Sequence, residues 1–135
     1  MNINLFTTHL QQTLQRAQSL AMEKKHTELD IVHFMFILLH HHEGITGRIF
    51  EMAETSTQPL LTELQKKLNE KAILQTDNNN QLYASQALVN FFQKADEIRK
   101  SWKDHYISTE HVILQFVKEI NKNNSWKTTI STEKI

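Results

Sequence analysis

Apolar residues recur along this chain at helical spacing in six places, and polar turn-forming residues separate them. From Phe6 to Lys25, Leu10, Leu14, Ala17 and Ala21 share one face, with Gln11, Gln15, Arg16 and Gln18 opposite. Thr7 is the expected N-cap. After a turn from Lys24 to Leu29, Asp30 caps a second helix reaching about His42. That helix is apolar on most of its surface, from Ile31 to Leu39, so it is expected at the centre of the core. A short third helix spans Gly44 to Ala53, with Ile45, Ile49, Phe50 and Met52 expected inward. A fourth follows a Ser56 or Thr57 cap, with Pro59 in its first turn and Leu60, Leu61, Leu64 and Leu68 along it.

The texture then changes. Gln75 to Gln81 is polar and aperiodic, and is expected to be a connecting loop within one domain. Ser85 caps a fifth helix running to about Trp102, with Leu88, Phe92, Ala95, Ile98 and Trp102 as its apolar stripe. Ser108 caps a sixth, to about Ile120, with Val112, Ile113, Phe116 and Val117 inward and Glu110 favouring the helix dipole. The expected domain is 1–120, with repeat one at 5–71 and repeat two at 84–120. Residues 121–135, with an isolated Trp126 and Ile130, are expected to be a weakly structured tail.

The two halves repeat. A shift of 78 residues, the distance from Thr7 to Ser85, places Leu10 on Leu88, Leu14 on Phe92, Ala17 on Ala95 and Leu20 on Ile98 without a gap. The same shift places Leu29 on Ile107, Asp30 on Ser108, His33 on His111 and Leu39 on Val117. Caps fall on caps and core on core. The expected fold is all-α, with two pseudo-twofold-related helical repeats, each burying its apolar second helix against the other copy.

Composition narrows the function. The 135 residues suit one domain, and 15 basic against 15 acidic residues leave no overall field for nucleic acid or an anionic membrane. No cysteine is present, which removes disulfides and thiolate chemistry. No apolar run approaches the roughly 20 residues of a membrane span, and Met1–Leu5 lacks the pattern of a signal peptide. A cytoplasmic domain is expected. Two glycines and one proline are too few for a β-rich fold, and no G-x-x-x-x-G-K-[ST] loop occurs.

The eight histidines raise a metal site, with His33 and His40 two turns apart. Zinc needs three or four converging ligands, and His40, His41 and His42 read more simply as a solvated helix end; no metal and no cofactor is expected. Ser108, His111 and Glu110 are nominally a hydrolase trio, but neighbours on one helical turn are expected to point apart, and no oxyanion loop is visible. Phe91 lies about 100° from Phe92 around the fifth helix. With Ile98 at i+7 it is expected to line an exposed apolar groove.

Phe6-Thr7, Ala17-Gln-Ser-Leu-Ala21 and His33 resemble the first repeat of the Clp N-terminal domain. Ser85-Gln-Ala-Leu-Val89 and Tyr106-Ile-Ser-Thr-Glu-His111 resemble the second, and the polar loop between the halves resembles the ClpB branch. The resemblance implies an all-helical module at the front of a homohexameric AAA+ disaggregase, engaging unfolded or aggregated client proteins or an adaptor. It implies that the chain is a domain of such a protein or a free-standing relative, with no catalysis of its own. By the same resemblance, Thr7, Asp104 and Glu110 match positions tied to chaperone activity, through structural contacts or through client contact. Ile98 matches the client groove, and Lys94 and His111 sit where some relatives carry leucines. The ClpC branch reads phosphorylated arginine through an acid in each repeat. Glu110 supplies one, but Val32 stands at the other, so a two-site reader is not expected.

Overall fold

The computed structural model describes residues 3–40, 44–73 and 82–122. Its helices are α1 (Thr8–Glu23), α2 (Ile31–His40), α3 (Ile45–Met52), α4 (Gln58–Asn69), α5 (Gln86–Ser101) and α6 (Thr109–Lys122). The Gln75–Gln81 loop, His41, His42, Trp126 and Ile130 lie outside the described residues.

The repeat is visible in the backbone itself. Thr7 and Ser85 both adopt extended dihedrals and cap their helices, accepting from Leu10 N–H at 3.3 Å and Leu88 N–H at 3.0 Å. Both first helices end on a left-handed lysine, Lys25 with φ 57° and Lys103 with φ 60°, at register-equivalent places.

Two short strands, β1 (Glu28–Leu29) and β2 (Tyr83–Ala84), were not anticipated. They pair in parallel, Leu29 with Ala84, and the equivalent residues Ile107 and Phe6 form a second parallel bridge. Ser85 N–H donates to Leu29 O at 2.8 Å, and Thr7 N–H donates to Ile107 O at 3.1 Å. Each repeat therefore pins the cap of its first helix to the segment before the other's second helix. A pseudo-twofold axis between the two bridges accounts for both. Two-residue strands leave no period-2 pattern in sequence, so nothing announced them.

One continuous core joins the halves. α2 packs on α1 and α4 and also meets α5, while α6 packs on α5 and meets α3. Phe92 bridges the repeats, with Phe6 and Phe34 rings each 4.9 Å away in edge-on geometry.

Three sequence expectations fail on exposure. Met52 is 76% exposed and Ile45 is also exposed, because α3 is short and buries only Thr46, Ile49 and Phe50. Trp102, the C-cap of α5, is 46% exposed although its ring lies 5.0 Å from that of His111 in α6. Phe91 is fully buried, so it lines no surface groove. α5 is packed by α6 on one side and by α2 on another, so its buried arc is wider than a single stripe. Thr13, the register equivalent of Phe91, is buried too.

Candidate functional site

Both second helices begin with the same device. Asp30 N–H donates to His33 Nδ1 at 2.9 Å, and Ser108 N–H donates to His111 Nδ1 at 2.8 Å. This is half of a capping box with histidine at N3, where glutamate or glutamine is usual. The amide occupies Nδ1, so each ring carries its hydrogen on Nε2.

The two Nε2 atoms meet different partners. His33 Nε2 lies 2.7 Å from Nδ1 of the buried His26. His111 Nε2 lies 2.7 Å from Asp104 Oδ2, at the place equivalent to His26. Burial, followed by the charges of His26 and Lys71, lowers the His33 pKa from 6.5 to about 4. His26 is also lowered, by burial and then by Lys24 and Lys71.

Asp30 ties three elements together. Its Oδ1 accepts from Ile31 N–H and from the Ser85 hydroxyl, each at 2.8 Å, and its Oδ2 pairs with Lys71 just beyond α4. Burial pushes the carboxyl up, but Lys71, Ile31 and Ser85 together hold it below its ordinary value. The equivalent Ser108 is local: its hydroxyl donates to Glu110 and lies 3.0 Å from His111 Nδ1.

Ser108, Glu110 and His111 thus converge, contrary to the expectation that they point apart, because all three belong to one helix cap. They do not form a hydrolase. The Ser108 amide fills the imidazole lone pair that would have to take the hydroxyl proton. A His33–His40 metal site fails as well, since both nitrogens of buried His33 are engaged and exposed His40 stacks on Phe36 at 5.4 Å. Among the described residues, no three His, Asp or Glu side chains are grouped to hold a metal.

The expected site residues fall into three places. Thr7 sits beside the start of α6 through its amide contact with Ile107. Asp104, Glu110 and the buried His111 form the cap of α6, so His111 supports the surface from beneath, its ring 5.0 Å from that of Trp102. Lys94 and Ile98 line a groove of about 440 Å³ between α5 and α6, together with Trp102, Leu114, Lys118 and Lys122. Phe91 is buried and is not among the groove's lining residues. Leu114 and Trp102 were the residues missed. Both follow helical spacing from Ile98 and Lys118, once α5 and α6 are known to lie side by side.

A twin groove, also about 440 Å³, lies between α1 and α2 and includes Arg16, Leu20 and Ile37. These are the register equivalents of Lys94, Ile98 and Gln115. Lys24 stands where repeat two has Trp102. A further cleft, of about 750 Å³, separates α2 from α4 and is walled by Phe36, His40 and Leu61.

A helical duplication with two such capped grooves defines the class of protein. The Clp repeat (R) N-terminal domain family matches residues 5–126, and the chain belongs to that family. The chain is 32% identical over 121 residues to the chaperone protein ClpB of Bacillus anthracis, covering 88% of this chain and 14% of that protein. It is 33% identical over 117 residues to ClpB of Lactiplantibacillus plantarum, covering 84% and 13%. The chain therefore spans about one-seventh of the length of these relatives.

Solved structures share the fold. The N-domain of ClpV from Vibrio cholerae superposes with a TM-score of 0.75 at 17% identity, covering 93% of this chain and 74% of that one. The N-terminal domain of Hsp104 from Candida albicans gives 0.74 at 17%, covering 96% and 85%. A ClpV N-domain in complex with a VipB peptide gives 0.78 at 16%, covering 97% and 82%. No helix among the described residues is long and apolar enough to cross a membrane.

Proposed function

We propose that this chain is the client-recognition domain of a ClpB-type disaggregase, and that the α5–α6 groove of repeat two is its working surface. The observation that carries this reading is the groove itself: an apolar floor of Ile98 and Leu114 beside the half-exposed indole of Trp102, on a family fold related to ClpB. A half-exposed aromatic beside a small apolar floor, within a polar rim, suits weak, sequence-tolerant capture of apolar segments. The ClpV N-domain solved with a VipB peptide supports peptide capture by this fold.

The domain does no chemistry in this reading. It holds a client in the cytoplasm and passes it to ATPase rings of a homohexameric parent, whose multivalency raises a modest affinity. Thr7, Asp104 and Glu110 act by holding the cap of α6, and His111 by supporting Trp102. Docking of a folded adaptor is the competing outcome. Titration with a permanently unfolded model protein separates the two. Client binding that Ile98→Lys weakens about tenfold or more, with helical content unchanged, supports the reading. An Ile98→Lys variant that binds as the parent chain does sinks it.

A further inference from the structure

We propose that the α5–α6 groove prefers apolar segments flanked by acidic residues; this rests on the groove being the client surface. Three lysines edge it on both walls, Lys94 from α5 and Lys118 and Lys122 from α6. All three are exposed, and none has a carboxylate within ion-pair distance among the described residues. Two acids share the groove, Glu97 and Glu119, and Glu119 is drawn aside by Gln115 Nε2 at 3.1 Å. Three lysines against two glutamates leave the lining with a net charge of +1.

The twin groove supplies the contrast within one molecule. Its charged residues, Arg16 and Glu23, cancel. Positive character is therefore a property of repeat two's groove and not of the fold. The chain as a whole has zero formal charge, so no global field produces the same preference. An apolar side chain seated on Ile98 and Leu114 places its neighbours among the three lysines that line the same groove. Carboxylates there gain two or three solvent-exposed ion pairs, and ammonium groups meet repulsion. Exposed pairs are individually weak, so the expected discrimination is about tenfold at low salt.

The test uses three peptides with one Leu-Phe core, flanked on each side by two aspartates, two serines or two lysines. Each is titrated into the full chain at roughly 0.05 M and 0.5 M salt, where screening differs strongly. The expected order at low salt is acidic, then neutral, then basic, about tenfold between extremes, with the spread collapsing at high salt. The double variant Lys94→Glu/Lys118→Glu, made at exposed positions so that folding is spared, is expected to reverse the order. Equal binding of all three peptides, with Ile98→Lys weakening each, overturns the charge preference and leaves the groove standing. No binding of any peptide overturns the groove and the preference together.

Discussion

The two repeats place the same histidine at the start of their second helices and give it different partners. In repeat one, His33 donates to a second buried histidine, His26. In repeat two, His111 donates to Asp104, which is half in solvent. The first arrangement is closed and neutral and joins helices through Asp30. The second opens to the surface, beside Trp102 and the groove. The duplication thus kept one geometric device in two settings: in repeat one it joins helices through Asp30, and in repeat two it lies beside Trp102 and the α5–α6 groove.

The sharpest way to break this contrast is at the helix caps. Asp30→Ala removes a cap, a cross-repeat bond to Ser85 and the partner of Lys71, so it is expected to cost about 3 kcal/mol in urea unfolding. Ser108→Ala, at the equivalent place, loses only local bonds and is expected to cost about 1 kcal/mol. Equal costs would mean that the joint between repeats is shared evenly.

Acid should also separate the halves. The folded-state pKa of His33 is lowered to about 4 from 6.5, so the unfolded chain takes up the proton first as pH falls. The stabilisation is complete above pH 6.5 and is lost progressively as the pH drops towards 4. By pH 5 the loss is about 2 kcal/mol. His26→Asp gives repeat one the partner that repeat two has, and is expected to flatten this dependence between pH 7 and 5, read by thermal melts. A dependence as steep as that of the parent chain would assign the acid sensitivity elsewhere.

The smallest expected stability effect is at the surface. Trp102→Lys installs the residue that repeat one carries at Lys24. The indole is 46% exposed, so stability should fall by less than about 1 kcal/mol. Peptide affinity should fall about tenfold, as for an interfacial aromatic anchor. A variant that unfolds readily yet binds normally would return Trp102 to the core.

The outcome for each of these residues follows how much of it was written locally. Caps and core faces were legible because Thr7, Ser85 and the four-three spacing of Leu10, Leu14 and Ala17 act within one helix. The 78-residue register was legible for the same reason, and the paired bridges bear out its twofold meaning. Phe91 was misplaced because its burial depends on α5 being covered from two sides, which no single-helix periodicity encodes. Trp102 was assigned to the core because it continues an apolar stripe, yet it stands at the C-cap of α5, against His111 on one side and half in solvent. The Asp104–His111 pair sits seven residues apart across a turn. Its clue was His26, at the equivalent distance from His33, which only the register makes visible.

The central claim is that repeat two's groove binds clients and its twin does not. Amide and side-chain chemical shifts, followed while an unfolded client is titrated into the chain, test it most directly. The expected result is progressive shifts at Lys94, Ile98, Trp102, Leu114 and Lys118, with Arg16, Leu20 and Ile37 unmoved. Shifts centred on the α1–α2 groove, or spread equally over both, would contradict the division of labour between the repeats.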